Sequence, residues 1–170
     1  MLIAILVAAA ASLTDPQIAT IALTAHRIDV QRGRLALRHS KNDEVKQFAQ
    51  QMVNDHKAGM AEATALAKRL GVKPQASDVS KSLQAGAKKA AARLKKERGA
   101  AFDRDYIDTE VAYHQAVIDA VKNVLVPGAQ NADLKTLLQN VVPTLEGHLQ
   151  HAKMVQAQLG SASSHASASK

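Results

Sequence analysis

Apolar side chains recur every three or four residues through four long stretches of this chain, a period that builds amphipathic helices and not strands. Ile18, Ile21, Ala22, Ala25, Ile28 and Leu35 form the first stripe, after Asp15-Pro16, where Asp can cap and Pro suits the first helical turn. This predicts helix A over 16–39. Ser40-Lys41-Asn42-Asp43 breaks the pattern. Val45, Phe48, Met52, His56, Met60, Ala63 and Leu70 form helix B over 42–70, with Gly71 and Pro74 as its stop. Phe102, Val111, His114, Val121 and Leu125 mark helix C over 100–125, ended by Pro127-Gly128. Leu134, Leu138, Val141, Leu145, His148, Ala152, Val155 and Leu159 mark helix D over 131–159, with Pro143 as a possible kink.

Composition agrees with an all-α chain. Hydrophobic residues are 46% of the 170, aromatics only 2%, and helix formers dominate. No glycine-rich phosphate loop or nucleophile elbow occurs, which argues against a nucleotide-binding fold and a hydrolase. The absence of cysteine excludes thiolate catalysis, iron–sulfur clusters and cysteine-bound zinc.

Met1 to Ala11 is an apolar run, too short for a spanning helix, which needs about 20 residues. Its small-residue end resembles a secretory signal, without the usual positive start. Residues 1–12 are therefore read as a signal-like segment, 15–159 as the bundle and 160–170 as a disordered Ser/Ala-rich tail. The expected location is the periplasm or cell envelope.

Short breaks make A–B and C–D antiparallel hairpins. About 28 residues join them, enough helix to run roughly 40 Å. Ser77 or Ser80 can cap a short fifth helix within this stretch. A connection that long can traverse the bundle and make B and C parallel, which is the one-crossover topology of a ferritin-like four-helix bundle; the alternative is an up-down-up-down bundle with the middle segment as a flap.

Three histidines fall on the apolar stripes of three helices, and their heights can be compared. His56 lies 14 residues after Asn42, and His114 lies 14 after Ala100. With B and C parallel, both sit about 21 Å from one end. His148 is 11 residues before Leu159, about 16 Å from that same end. Opposite His56 in helix A lie His26 to Asp29. One layer could therefore hold Asp29 or His26, His56, Glu110 or His114, and His148. Imidazole with carboxylate suits zinc, iron or copper. The competing reading is a set of hydrogen-bonded core histidines.

The carboxylates argue against a di-iron enzyme, which wants Glu-x-x-His on two helices. Val53 stands where helix B would need Glu, and Glu146-Gly147-His148 has the wrong spacing. Glu110 and His114, at i and i+4, remain usable.

The string Asn42-Asp43-Glu44-Val45-Lys46-Gln47-Phe48-Ala49-Gln50-Gln51-Met52-Val53-Asn54-Asp55-His56 resembles the helix-B signature of the bacterial family catalogued as domain of unknown function 4142. Phe102-Asp103-Arg104-Asp105-Tyr106-Ile107 leading to His114, and Leu145-Glu146-Gly147-His148-Leu149, are similar to its later motifs. Ile28-Asp29-Val30 with Gly33-Arg34-Leu35-Ala36 resembles its first. The resemblance implies a ferritin-like bundle in exported or envelope proteins, with Asp55, His56, Tyr106, His114 and His148 at recurring polar positions. It implies no established activity. Gln31 and Arg32 depart from the pattern, since an acidic and an apolar residue are common there.

Formal net charge is +7, and the excess gathers in the connection. Lys81, Lys88, Lys89, Lys95 and Lys96 share much of one helical face. Such a face keeps a protein soluble or meets an anionic membrane surface. No aromatics interleave to stack bases, so nucleic acid is not an expected partner. The sequence thus points to a non-enzymatic envelope or stress-related bundle. The alternative is a metal-binding or metal-dependent redox bundle using His56, His114, His148, Glu110 and Asp29.

Overall fold

The structure, a computed structural model, describes residues 13–168, with side chains described for 13–161. The signal-like segment lies outside the described residues. Five helices follow one another: α1 (Asp15–His39), α2 (Asp43–Arg69), α3 (Asp78–Leu94), α4 (Gly99–Ala120) and α5 (Ala132–Ala168). A π-helical turn, Val121–Leu125, and a short turn, Val126–Gly128, extend α4. There are no strands among the described residues. None of their helices is long and apolar enough to cross a membrane.

Local chemistry explains most boundaries. Asn42 caps α2 by accepting the Val45 N–H at 3.1 Å. Gly71 takes φ 63° just past α2, a conformation that disfavours any side chain. Ser77 caps α3, and Ser80 returns the bond. The Asn131 side chain accepts from Asp133 and Leu134 at the start of α5. Asp15 does not cap α1 as its position suggests. Its carboxylate accepts the N–H groups of Gln130 and Asn131 at 2.8 and 2.9 Å, tying α1 to the loop before α5. At the far end, α5 does not stop at Gly160 but continues to Ala168, so the expected disordered tail begins as helix. Gly160 lacks the positive φ of a glycine cap, and one glycine weakens a helix by only about 1 kcal/mol.

Contacts along the helices fix their directions. Asp15 meets the end of the α4 segment, while His39 stacks on Phe102 at the start of α4, so α1 and α4 are antiparallel. Phe48 packs on His151, and Arg69 pairs with Asp133 at 2.9 Å, so α2 and α5 are antiparallel. Phe48 also meets Tyr106, and His56 meets His114, so α2 and α4 run parallel. The connection begins beside α1, where Gln75 N–H donates to Thr20. It ends beside the start of α4, where Arg93 clasps Asp105 at 2.7 Å. It is the long crossover of a ferritin-like bundle. All five lysines of its basic face are exposed.

The core has two apolar clusters. One holds Ile18, Ile21, Leu66, Val121, Leu125, Leu138 and Leu145; the other holds Leu35, Phe48, Met52, Leu94, Phe102, Tyr106 and Val155. Between them lies a layer of buried polar side chains at mid-height. In the α1–α2 hairpin, Gly33 lets the backbones close: a Cβ there would sit 2.8 Å from Ala49 O and from Val53 Cγ2.

Candidate metal centre

The polar layer draws on four helices. The stripes that bury Ile28 and Leu35 also turn Asp29 and Arg32 of α1 inward. α2 supplies His56, α4 supplies Glu110 and His114, and α5 supplies His148, each no more than 2% exposed. The equal-height arithmetic holds because α2 and α4 are parallel and every helical residue rises by the same step. The His56, His114 and His148 rings stand 5.1 to 5.8 Å apart, centroid to centroid.

Each of these histidines engages the protein through one ring nitrogen only. His114 Nδ1 donates to the Glu110 backbone carbonyl at 3.0 Å. His148 Nε2 donates to Asp55 Oδ2 at 2.9 Å. His56 Nδ1 lies 2.9 Å from His26 Nδ1 and 3.5 Å from Asp29 Oδ2, and the carboxylate favours the proton on His56. These partners assign the tautomers. The opposite nitrogens, His56 Nε2, His114 Nε2 and His148 Nδ1, then carry lone pairs, and none has a hydrogen-bond partner. One ring nitrogen from each of the three lies within 4.8 Å of the others. Buried polar atoms normally find partners, so three unpaired acceptors on one cluster of rings ask for a donor or a cation.

Protonation favours the cation. Burial pushes His56 down to about 4, against the pull of Asp29. Burial also lowers His114 and His26. His56, His114 and His26 are therefore neutral imidazoles at neutral pH, the form that binds metals. Acceptors on the far side of each ring, a carbonyl, a carboxylate and a second imidazole, hold the orientation that metal ligands need. Gly59 makes room for His26, since a Cβ there would lie 2.5 Å from His26 Cε1.

Asp29, Glu110 and His114 form a second convergent group, also within 4.8 Å. Here a side chain already supplies the positive charge. Arg32 bonds Asp29 at 2.8 Å and sits 3.0 Å from Glu110, with its guanidinium 3.9 Å over the Tyr113 ring. Burial pushes Asp29 up, but His56 and Arg32 overcome it and hold the carboxyl below its usual range. Burial pushes Glu110 to about 8, despite Arg32. At neutral pH this group is one carboxylate, one guanidinium and one largely protonated carboxyl, already balanced. Of the five expected ligands, then, His56, His114 and His148 converge, and each keeps one unpartnered ring nitrogen. Glu110 and Asp29 stand beside them, turned to Arg32.

Glu146 stays outside, exposed and paired with Lys122, as its spacing suggests. The sequence reading notes Arg32 only as a departure. Its signal is its place on the stripe, four after Ile28, where a guanidinium must be buried and hence paired. Asp55 and His26 were visible as polar neighbours but not as the groups that orient His148 and His56. Tyr113 had no signal of its own.

Comparison with known proteins follows the fold. A solved structure described as CopM in the Cu(II)-bound form matches with a TM-score of 0.66, over 86% of this chain and 98% of that one. The two are 15% identical, so the likeness is one of fold. No curated protein sequence matches this chain. The family model described as "Domain of unknown function (DUF4142)" matches residues 4–155, nearly the whole bundle, and the chain belongs to that family.

Proposed function

We propose that this protein binds one divalent transition-metal ion through His56, His114 and His148. The observation that carries the reading is the convergence of three buried histidines, one ring nitrogen of each within 4.8 Å of the others, in rings that each keep one nitrogen without a hydrogen-bond partner. Neutral nitrogen donors without thiolate suit copper(II) and zinc, and copper(II) binds the tighter of the two at a given site. The similarly folded CopM was solved with Cu(II) bound. Three protein ligands leave a fourth position open. Arg32 fills the place of a second cation, so the site takes a single ion and the paired-metal chemistry of di-iron bundles is not assigned. The role is that of a metal-holding bundle. We place it in the periplasm or cell envelope, on the signal-like pattern of Met1 to Ala11.

The test is elemental analysis and copper and zinc titration of protein purified without a histidine tag. One ion per chain is expected. His148→Ala should weaken binding by at least about 100-fold, since removing a ligand should cost no less than the loss of an outer-shell partner. His39→Ala, which removes a histidine stacked on Phe102 outside the cluster, should leave it unchanged. Wild-type protein that takes up no ion, or His148→Ala binding as tightly as wild type, would overturn the reading.

A further inference from the structure

A cavity of about 430 Å³ opens beside the histidine layer, within the range of small-molecule sites. It lies in the half of the bundle that holds the start of α1 and the end of α4. Its inner end is polar, with His26, Asp29, His56 and His148 on the wall. Its walls are otherwise apolar, with Ile21, Val117, Leu138 and Leu145 among them. Its rim reaches exposed polar residues, Glu62 and Asn140.

Two features keep this space open. Ala22 and Ala25 on α1 and Ala116 and Ala120 on α4 line it, where larger side chains would reduce it. The π-helical turn contributes Val121, Asn123, Val124 and Leu125 to the wall. That turn has a local cause. Pro127 has no N–H to give to a carbonyl four residues back, and the Val126 N–H reaches Val121 O, five back. Four of the five residues of the widened turn line the hollow.

We propose that this cavity binds a small amphipathic molecule with an apolar chain and a single carboxylate head, the head taking the open fourth position of the ion held by His56, His114 and His148. This rests on the metal reading above. Geometry supports it, because His56 and His148 belong both to the ligand cluster and to the cavity wall, and each carries an unpartnered nitrogen. Charge supports one negative head. Counted at the ion, a divalent metal brings two positive charges, Asp55 beside His148 returns one, and Asp29 is offset by Arg32, while Glu62 and Asp119 also line the cavity, Glu62 at its exposed rim. One carboxylate closes the balance. A phosphate dianion would exceed it. The wall chemistry supports the chain, since apolar surface in contact with apolar surface is released from water.

The test uses the full bundle loaded with cobalt(II), whose absorption spectrum reports its ligands, and decanoate as the probe. Decanoate should change the cobalt spectrum and bind by calorimetry, and butyrate should bind at least tenfold more weakly. Ala22→Trp and Ala120→Phe, which fill the cavity from two different helices, should each weaken decanoate at least tenfold and leave cobalt uptake unchanged. Two variants are used so that one folding failure does not decide the matter, with helicity checked by circular dichroism. A cobalt spectrum that decanoate does not alter overturns this proposal alone. So does decanoate binding that is indifferent to both variants or to chain length. Failure to take up cobalt, copper and zinc alike overturns the metal reading and this one with it; a chain that holds zinc but not cobalt is put to the same calorimetry in its zinc form, where no decanoate binding overturns this proposal alone.

Discussion

Arg32→Met keeps most of the side chain's length and removes its charge, which makes it a direct test of how the polar layer is balanced. Asp29 is 2% exposed and loses its 2.8 Å partner. Glu110, pushed to about 8 by burial, is mostly protonated at pH 7 and adds little repulsion of its own. The variant therefore leaves one uncompensated buried carboxylate. Breaking a buried pair from one side costs about 3–5 kcal/mol. The lost guanidinium contact with Tyr113 falls within that range rather than adding to it, at roughly 1–2 kcal/mol. For a domain of this size each kcal/mol moves the melting temperature by about 2–4 °C, so a fall of roughly 6–20 °C is expected. Urea unfolding at several pH values is the assay. Without Arg32, Asp29 should bind its proton at higher pH than in the wild type, so the penalty is full at neutral pH and shrinks on acidification. Asp29→Asn added to Arg32→Met should recover most of the loss. A deficit below about 1 kcal/mol, or no recovery in the double variant, would refute the buried-pair account.

The remaining predictions concern pH and close packing. Glu110 binds its proton more tightly folded (about 8) than unfolded, so its contribution is whole at low pH and is lost as pH rises through 8. Glu110→Gln should flatten the alkaline side of the stability profile, and parallel profiles from pH 5 to 9 would contradict this. His56 acts in the opposite sense: its folded value of about 4 is below 6.5, so stability is whole above 6.5 and lost as pH falls toward 4. The shift is worth up to about 3 kcal/mol, and His56→Gln should flatten the acid side in metal-free protein. Gly33→Ala should destabilise by about 1–3 kcal/mol in thermal unfolding, because its Cβ meets backbone at Ala49 that cannot rotate away. An unchanged melting temperature would mean the α1–α2 approach is looser than described.

The helices were legible because helicity and its punctuation are local. Each stripe repeats within a few residues, and Asn42, Gly71 and Ser77 act on their own neighbours. The shared height of His56, His114 and His148 was legible too, since a constant rise turns residue counting into distance once direction is known. Two local readings failed, one to a partner remote in sequence and one because a single glycine without a positive φ is a weak stop. Asp15 binds the loop before α5, and the end of α5 passes through Gly160, which spacing alone marks as a stop.

The sequence by itself determined an all-α bundle, its long crossover and a level at which three histidines could meet. Only the tertiary structure decided which nitrogen of each ring is free, that Arg32 balances Asp29 and Glu110, and that a cavity opens onto the cluster. Those properties depend on how far each helix is rotated about its axis and how closely neighbouring backbones approach. Rotation and approach are set jointly by all the packed faces, and no single stripe of residues carries them.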